Sequence, residues 1–114
     1  MTYHAQFSVH CGEKSSLYRR SESLCLDRTA GEASDLAAML EIIRRAKKIG
    51  LDFHRREGRR HQIIISLESL CHSKDSPIDQ KRVLEDGGIK DVLLDAQGKV
   101  TLILPSNSNT YLQK

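Results

Sequence analysis

Residues 3–11 alternate without a break. Tyr3, Ala5, Phe7, Val9 and Cys11 are apolar, and His4, Gln6, Ser8 and His10 between them are polar. A period of two over this length specifies a strand with one buried face and one wet face. His4 and His10 fall on the wet face, where solvent is the expected neighbour. Gly12 to Ser16 turns the chain, and Leu17 to Leu26 reads as a second strand antiparallel to the first. Arg19, Arg20 and Glu22 mark its middle as an exposed or edge portion.

The apolar face of such a strand needs a cover, and the next segment supplies one. At 100° per residue, Ala33, Leu36, Met39, Leu40, Ile42, Ile43, Ala46 and Ile49 fill a wide arc. Glu41, Arg44, Arg45 and Lys48 fill the opposite side. This pattern predicts a helix that packs broadly on a sheet, with Leu40 and Ile43 at the centre of the buried arc. Thr29-Ala30-Gly31-Glu32 fits a capping box at its start. Gly50, followed by apolar Leu51, fits a left-handed residue at its end. Glu41 is spaced to pair with Arg45.

Further strands follow. Gln62 to Leu70, with three successive isoleucines, reads as a central strand buried on both faces at one end. Cys71 to Ser76 is a connector. Ser76-Pro77-Ile78-Asp79 offers a hydroxyl cap, a proline at the first helical position and an acid in the first turn, and predicts a short second helix. Gly87-Gly88 follow that helix, so they read as its C-terminal cap and not as a phosphate-cradling loop. Asp91–Leu94 and Val100–Leu104 are the last strands, joined at Asp95–Gly98 by a type I turn with Gly98 left-handed. Pro105 ends the sheet.

The expected fold is α+β: one two-layer domain over residues 1–105, with a largely antiparallel sheet of about five strands and two helices on one face. Residues 106–114 are polar and read as a flexible C-terminal tail. The sheet keeps one open face or edge, which small proteins of this shape often cover by forming a homodimer.

One segment is unlike the rest. His54-Arg55-Arg56-Glu57-Gly58-Arg59-Arg60-His61 reads nearly the same in both directions around Glu57-Gly58. If those two residues turn a hairpin, Leu51–Arg56 pairs with the strand that follows. Arg56 then faces Arg59, Arg55 faces Arg60, and His54 faces His61. Like charges opposite each other destabilise a ladder, and an anionic partner would relieve them. The alternative is a loose basic loop.

Charge arithmetic isolates the same region. The 114-residue chain carries 18 Lys+Arg and 15 Asp+Glu, a net +3. Arg44 to His61 holds eight cations against two acids, a net +6, which leaves −3 for the remainder. The protein therefore has one basic pole, a better device for steering a polyanion than dispersed charge. The expected contacts are Arg44, Arg45, Lys48, Arg55, Arg56, Arg59 and Arg60, flanked by His54 and His61. Arginine forks suit phosphate. With two Phe, three Tyr and no Trp, platforms for stacking single-stranded bases are scarce. The expected partner is nucleic acid, DNA or RNA, held through its phosphates. The competing partner is an acidic protein surface gripped by an adaptor, inhibitor or antirepressor.

Other classes of function find less support. His54, His61, His72, Asp52 and Glu57 are the titratable candidates for catalysis, but a hairpin tip is exposed and catalysis needs enclosure. No enzyme activity and no cofactor is expected. Cys11, Cys25 and Cys71 are odd in number and lack C-x-x-C spacing. They read as reduced thiols rather than metal ligands. No apolar run approaches the length of a membrane span, and the N-terminus lacks a signal-peptide pattern. The expected location is the cytoplasm.

Overall fold

The computed structural model describes residues 2–11, 19–28, 34–56, 62–72 and 76–105, the side chains of Cys11, Arg19, Arg20, His54 and Arg56 excepted. Strand β1 (Thr2–Cys11) pairs antiparallel with β2 (Arg19–Asp27), matching Tyr3 to Leu26 and Val9 to Arg20. Helix α1 (Asp35–Arg56) then crosses to β3 (Ile63–His72), which pairs antiparallel with the other edge of β1. Two short strands share the far edge of β3. These are β4 (Ser76–Pro77) against Cys71 and His72, and β5 (Thr101–Leu104) against Ile63 to Ser66. Between them lies helix α2 (Gln80–Asp86). The sheet runs β2-β1-β3-β4, with β5 also on β3, which gives five antiparallel strands and two helices.

The alternation of β1 holds in its first half, with Tyr3, Ala5, Phe7 and Val9 buried and His4 and Gln6 exposed, whereas on the polar face Ser8 is buried and His10 is half-buried. Their β3 partners on the same face are Leu70, Leu67 and Ile65, opposite Ala5, Phe7 and Val9. Glu68 is an extra residue at the register shift between Gln6 and Phe7, and its carboxylate accepts the buried Ser8 hydroxyl at 2.7 Å. Of the three isoleucines, Ile63 and Ile65 are buried while Ile64 is half-buried, so β3 is central but largely one-sided.

Helix α1 differs from expectation at both ends. Its first residue is Asp35, and Ser34 caps it, the hydroxyl accepting the Ala37 amide at 3.3 Å. The capping box proposed at Thr29–Glu32 lies outside the described residues. Gly50 does not end the helix. It sits inside it, buried against the sheet, where an added Cβ would lie 2.2 Å from Ile65 Cδ1 and 3.0 Å from Leu104 Cδ1. Close approach of helix to sheet, not backbone handedness, is what that position requires.

The buried stripe accordingly runs Met39, Ile42, Ala46, Gly50 and Phe53, at spacings of three and four. Leu40 is rotated outward and is 39% exposed, and Ile43 packs at the margin of the core. Arg44 points away, as its position in the sequence implies.

Leu51 to Arg56 are the last two turns of α1, so they form no strand and no ladder with residues 62–70. The facing pairs Arg56–Arg59, Arg55–Arg60 and His54–His61 are therefore excluded as cross-strand partners.

The second helix also starts later than its sequence suggests. Ser76-Pro77 extends the sheet as β4, and Asp79 is the cap, its carboxylate accepting the Arg82 amide at 3.2 Å. Proline is acceptable in such a two-residue edge strand because that position has no need of a ladder donor. Gly87 closes α2 as expected, and the left-handed residue is Gly88, at φ 72°. Asp91–Leu94 forms only a single bridge, Leu94 with Val100. The turn after it is as expected: Gly98 has φ 78°, and Asp95 Oδ1 accepts the amides of Gln97 and Lys99 at 2.8 and 3.0 Å. The segment proposed as a tail, 106–114, lies outside the described residues. No described helix is long and apolar enough to cross a membrane.

Candidate polyanion-binding face

The 22 residues of α1 make a rod of about 33 Å at 1.5 Å per residue. Because its inner stripe is held on the sheet, the register of its outer side chains is fixed. Arg44, Arg45, Lys47, Lys48 and Arg55 are all exposed on this one element. Extension of the helix past Gly50 thus joins two groups of cations that local sequence pattern alone divides between a helix end and a hairpin.

Acids on the same face restrain part of that charge. Glu41 accepts Arg44 Nε at 3.1 Å and Nη2 at 2.6 Å, and Arg45 Nε at 2.9 Å. The Arg44 bonds, then the Arg45 bond, hold the Glu41 carboxyl down at about 2, and Glu41 in turn raises the pKa of Arg44. Asp52 similarly binds Arg55 one turn on. Lys47 and Lys48 pair with no described acid. Five cations and two acids therefore share the described outer face of α1, and Arg56 continues the helix at its end. Leu40 and Leu51, 39% and 48% exposed, lie among these charges.

Of the residues assigned to the basic pole, Arg44, Arg45, Lys48 and Arg55 come together on one face. Arg56 and His54 belong to the same helix by backbone, whereas Arg59, Arg60 and His61 lie outside the described residues. Lys47 was not among the expected contacts. Helical spacing alone places it on the exposed side, one turn from Arg44 and from Leu51.

Two features elsewhere were not apparent in the sequence. The first is a row on the helix-free face of the sheet, where register places Cys25 and Cys71 on either side of His4. The Cys25 Sγ to His4 Nδ1 distance is 3.3 Å, so His4 has a neighbour besides solvent. Neighbouring strands are about 4.8 Å apart, so Cys25 and Cys71 are separated by roughly twice that, too far for a disulfide or a shared ion. Both are free thiols, and no group of three ligands among the described residues is arranged for a metal.

The second is a groove of about 210 Å³ between β4 and the turn at residues 97–99, lined by Glu68, Ser69, Asp79, Gln97 and Lys99 among others. Its charged groups are engaged: Lys99 pairs with Glu68 at 3.6 Å, and Asp79 caps α2. Compared with protein families, curated proteins and solved structures, the chain matches none.

Proposed function

We propose that this is a small regulatory protein, without catalytic activity, that binds nucleic acid through phosphate contacts made by the outer face of α1. The observation that supports this most is the continuity of α1 through Gly50, which sets Arg44, Arg45, Lys47, Lys48 and Arg55 on one rigid, exposed surface. A helix of this diameter fits the major groove of a duplex, and a row of cations along it follows the phosphates. The scarcity of aromatic side chains favours a duplex or folded RNA over stacked single strands. Free thiols at Cys25 and Cys71 suit the reducing cytoplasm.

The test is binding of a DNA duplex and an RNA duplex at low salt by the wild type and by the variant Arg44→Gln, Lys47→Gln, Lys48→Gln, Arg55→Gln. The wild type should retain a duplex and the variant should lose it with its melting temperature nearly unchanged. Removing up to four phosphate contacts should lower the slope of log affinity against log salt by up to ~3.6 on B-DNA. A wild type that binds neither duplex would favour a protein partner with an acidic surface. That second reading is supported by Leu40 and Leu51, since apolar side chains among cations suit an acidic, amphipathic partner better than phosphates.

A further inference from the structure

Strand β2 is the outer edge of the sheet, nine residues long, with no glycine, proline or lysine. Among the described residues no strand pairs with its far side. An edge of this length, without proline and with no bulge in its register, is a template for another strand, provided that the charges it carries find complements there. Which strand fits can be read from β2 itself.

A second copy related by a twofold axis perpendicular to the sheet would run antiparallel to the first. Side chains alternate between faces, and this axis keeps each face on its own side. Paired residues must therefore share a face, so the axis passes through a residue and not between two. Three such registers overlap most of the strand. With the axis at residue 22, Glu22 meets its own copy. With the axis at residue 24, Arg20 meets Arg28. Both set like charges opposite each other. With the axis at Ser23, all nine residues pair, Arg19 falls in register with Asp27 at both ends, Ser21 with Cys25, and Glu22 with Leu24. No like charges are opposed.

The geometry points to a homodimer in which β2 pairs with β2 of a second copy about Ser23, making one continuous sheet of ten strands. Both α1 helices then lie on the same side of that sheet, so two cationic faces are presented together. Pairing through β2 requires only this edge and no nucleic acid.

The mass in solution, measured without ligand on the full chain, tests it. The wild type should give twice the chain mass of 12.9 kDa. Asp27→Arg should give monomer, and Arg19→Asp with Asp27→Arg should restore the dimer. The hydrogen bond from Thr2 to Asp27 is lost in both variants, so restoration cannot come from the fold. With Cys11, Cys25 and Cys71 replaced by Ser, Ser23→Cys should form a disulfide-linked dimer on mild oxidation. Ser21→Cys in that background should not, because two copies of residue 21 are about 14 Å apart in this register. A wild type of 12.9 kDa at all concentrations, or linkage through residue 21 but not 23, would overturn the proposal.

Discussion

Gln80 bonds the Val100 amide through its side-chain oxygen at 2.7 Å, and its side-chain nitrogen donates to the Leu67 carbonyl at 3.0 Å. One carboxamide, 6% exposed, thereby stands in for a peptide group in the gap between β4 and β5. The Leu67 amide meets the Val100 carbonyl at 2.9 Å, completing the junction. Gln80→Leu leaves a buried donor and a buried acceptor without partners, each costing about 1–3 kcal/mol. Gln80→Glu keeps the acceptor but places a carboxylate against a carbonyl, so its stability should improve as pH falls and the carboxyl gains a proton. Chemical denaturation of both variants across pH checks this. A pH-independent Gln80→Glu would mean that the side chain at position 80 does not meet the Leu67 carbonyl.

At Gly50, helix propensity and packing oppose each other. Alanine is favoured in a helix by about 1 kcal/mol. Its Cβ, however, would lie 2.2 Å from Ile65 Cδ1, and Ile65 is itself buried. Overpacking of this kind costs about 1–3 kcal/mol. Gly50→Ala should therefore destabilise on balance. Ile65→Val, which removes the clashing methyl and alone costs about 0.5–1.5 kcal/mol, should cost less or even stabilise in the Gly50→Ala background. Strict additivity in the double-mutant cycle would mean the helix does not approach the strand here.

Met39 is fully buried while Leu40 is 39% exposed. Met39→Ala should cost about 2–5 kcal/mol, and Leu40→Ala under about 1 kcal/mol. Urea midpoints decide it, and the reverse order would rotate α1 by about one residue.

This contrast also shows where sequence reasoning reaches its limit. The apolar arc identifies α1, but the centre of that arc depends on where the helix ends, and a helix ending at Ile49 has a different centre from one ending at Arg56. Gly50 carries a stop signal by local propensity, and what overrides it is the close fit to Ile65 and Leu104, which is tertiary. A helix cut short at Ile49 leaves out the buried Phe53 and makes Leu40 central. Ser76-Pro77 has the same history, since its capping signal yields to pairing with β3. Gln80 resembles any polar residue in a first helical turn, and only the gap in the sheet gives it a task. The cations were legible because exposure on a helix follows from spacing. Their union on one face was not, because it depended on Gly50. The Cys25–His4–Cys71 row needed strand register, which no local pattern supplies.

The Tyr3 hydroxyl donates to Asp35 Oδ1 at 3.1 Å, tying β1 to the first turn of α1. Burial pushes the phenol above its ordinary value of 10, and the Asp35 bond adds to this. Its folded pKa thus exceeds the unfolded one, so the associated stability is complete below pH 10 and is lost as pH rises through the folded pKa. Tyr3→Phe should lose about 0.5–1.5 kcal/mol at neutral pH. Its stability should then fall less steeply than the wild type's above pH 10. Parallel alkaline profiles for the two proteins would contradict the raised phenol.

Glu41 offers the sharpest test of the α1 face, because the reading predicts that removing it improves binding. Its carboxylate engages both Arg44 and Arg45, and it also repels phosphate. A depressed folded pKa means that its stabilising contribution is present above the ordinary 4.5 and is lost only as pH falls toward about 2. Mild acid therefore leaves the carboxylate ionised and the arginines held, so binding should not rise between pH 7 and 5 on its account. Glu41→Gln removes the charge at every pH. Duplex affinity at low salt should increase, and the salt slope should steepen by up to ~0.9 as Arg45 becomes available to phosphates beside Arg44. The melting temperature should change little, because exposed ion pairs contribute little to stability. Fluorescence anisotropy titrations of wild type and Glu41→Gln at several salt concentrations measure both quantities. Unchanged affinity with an unchanged slope would place the contact elsewhere than on α1.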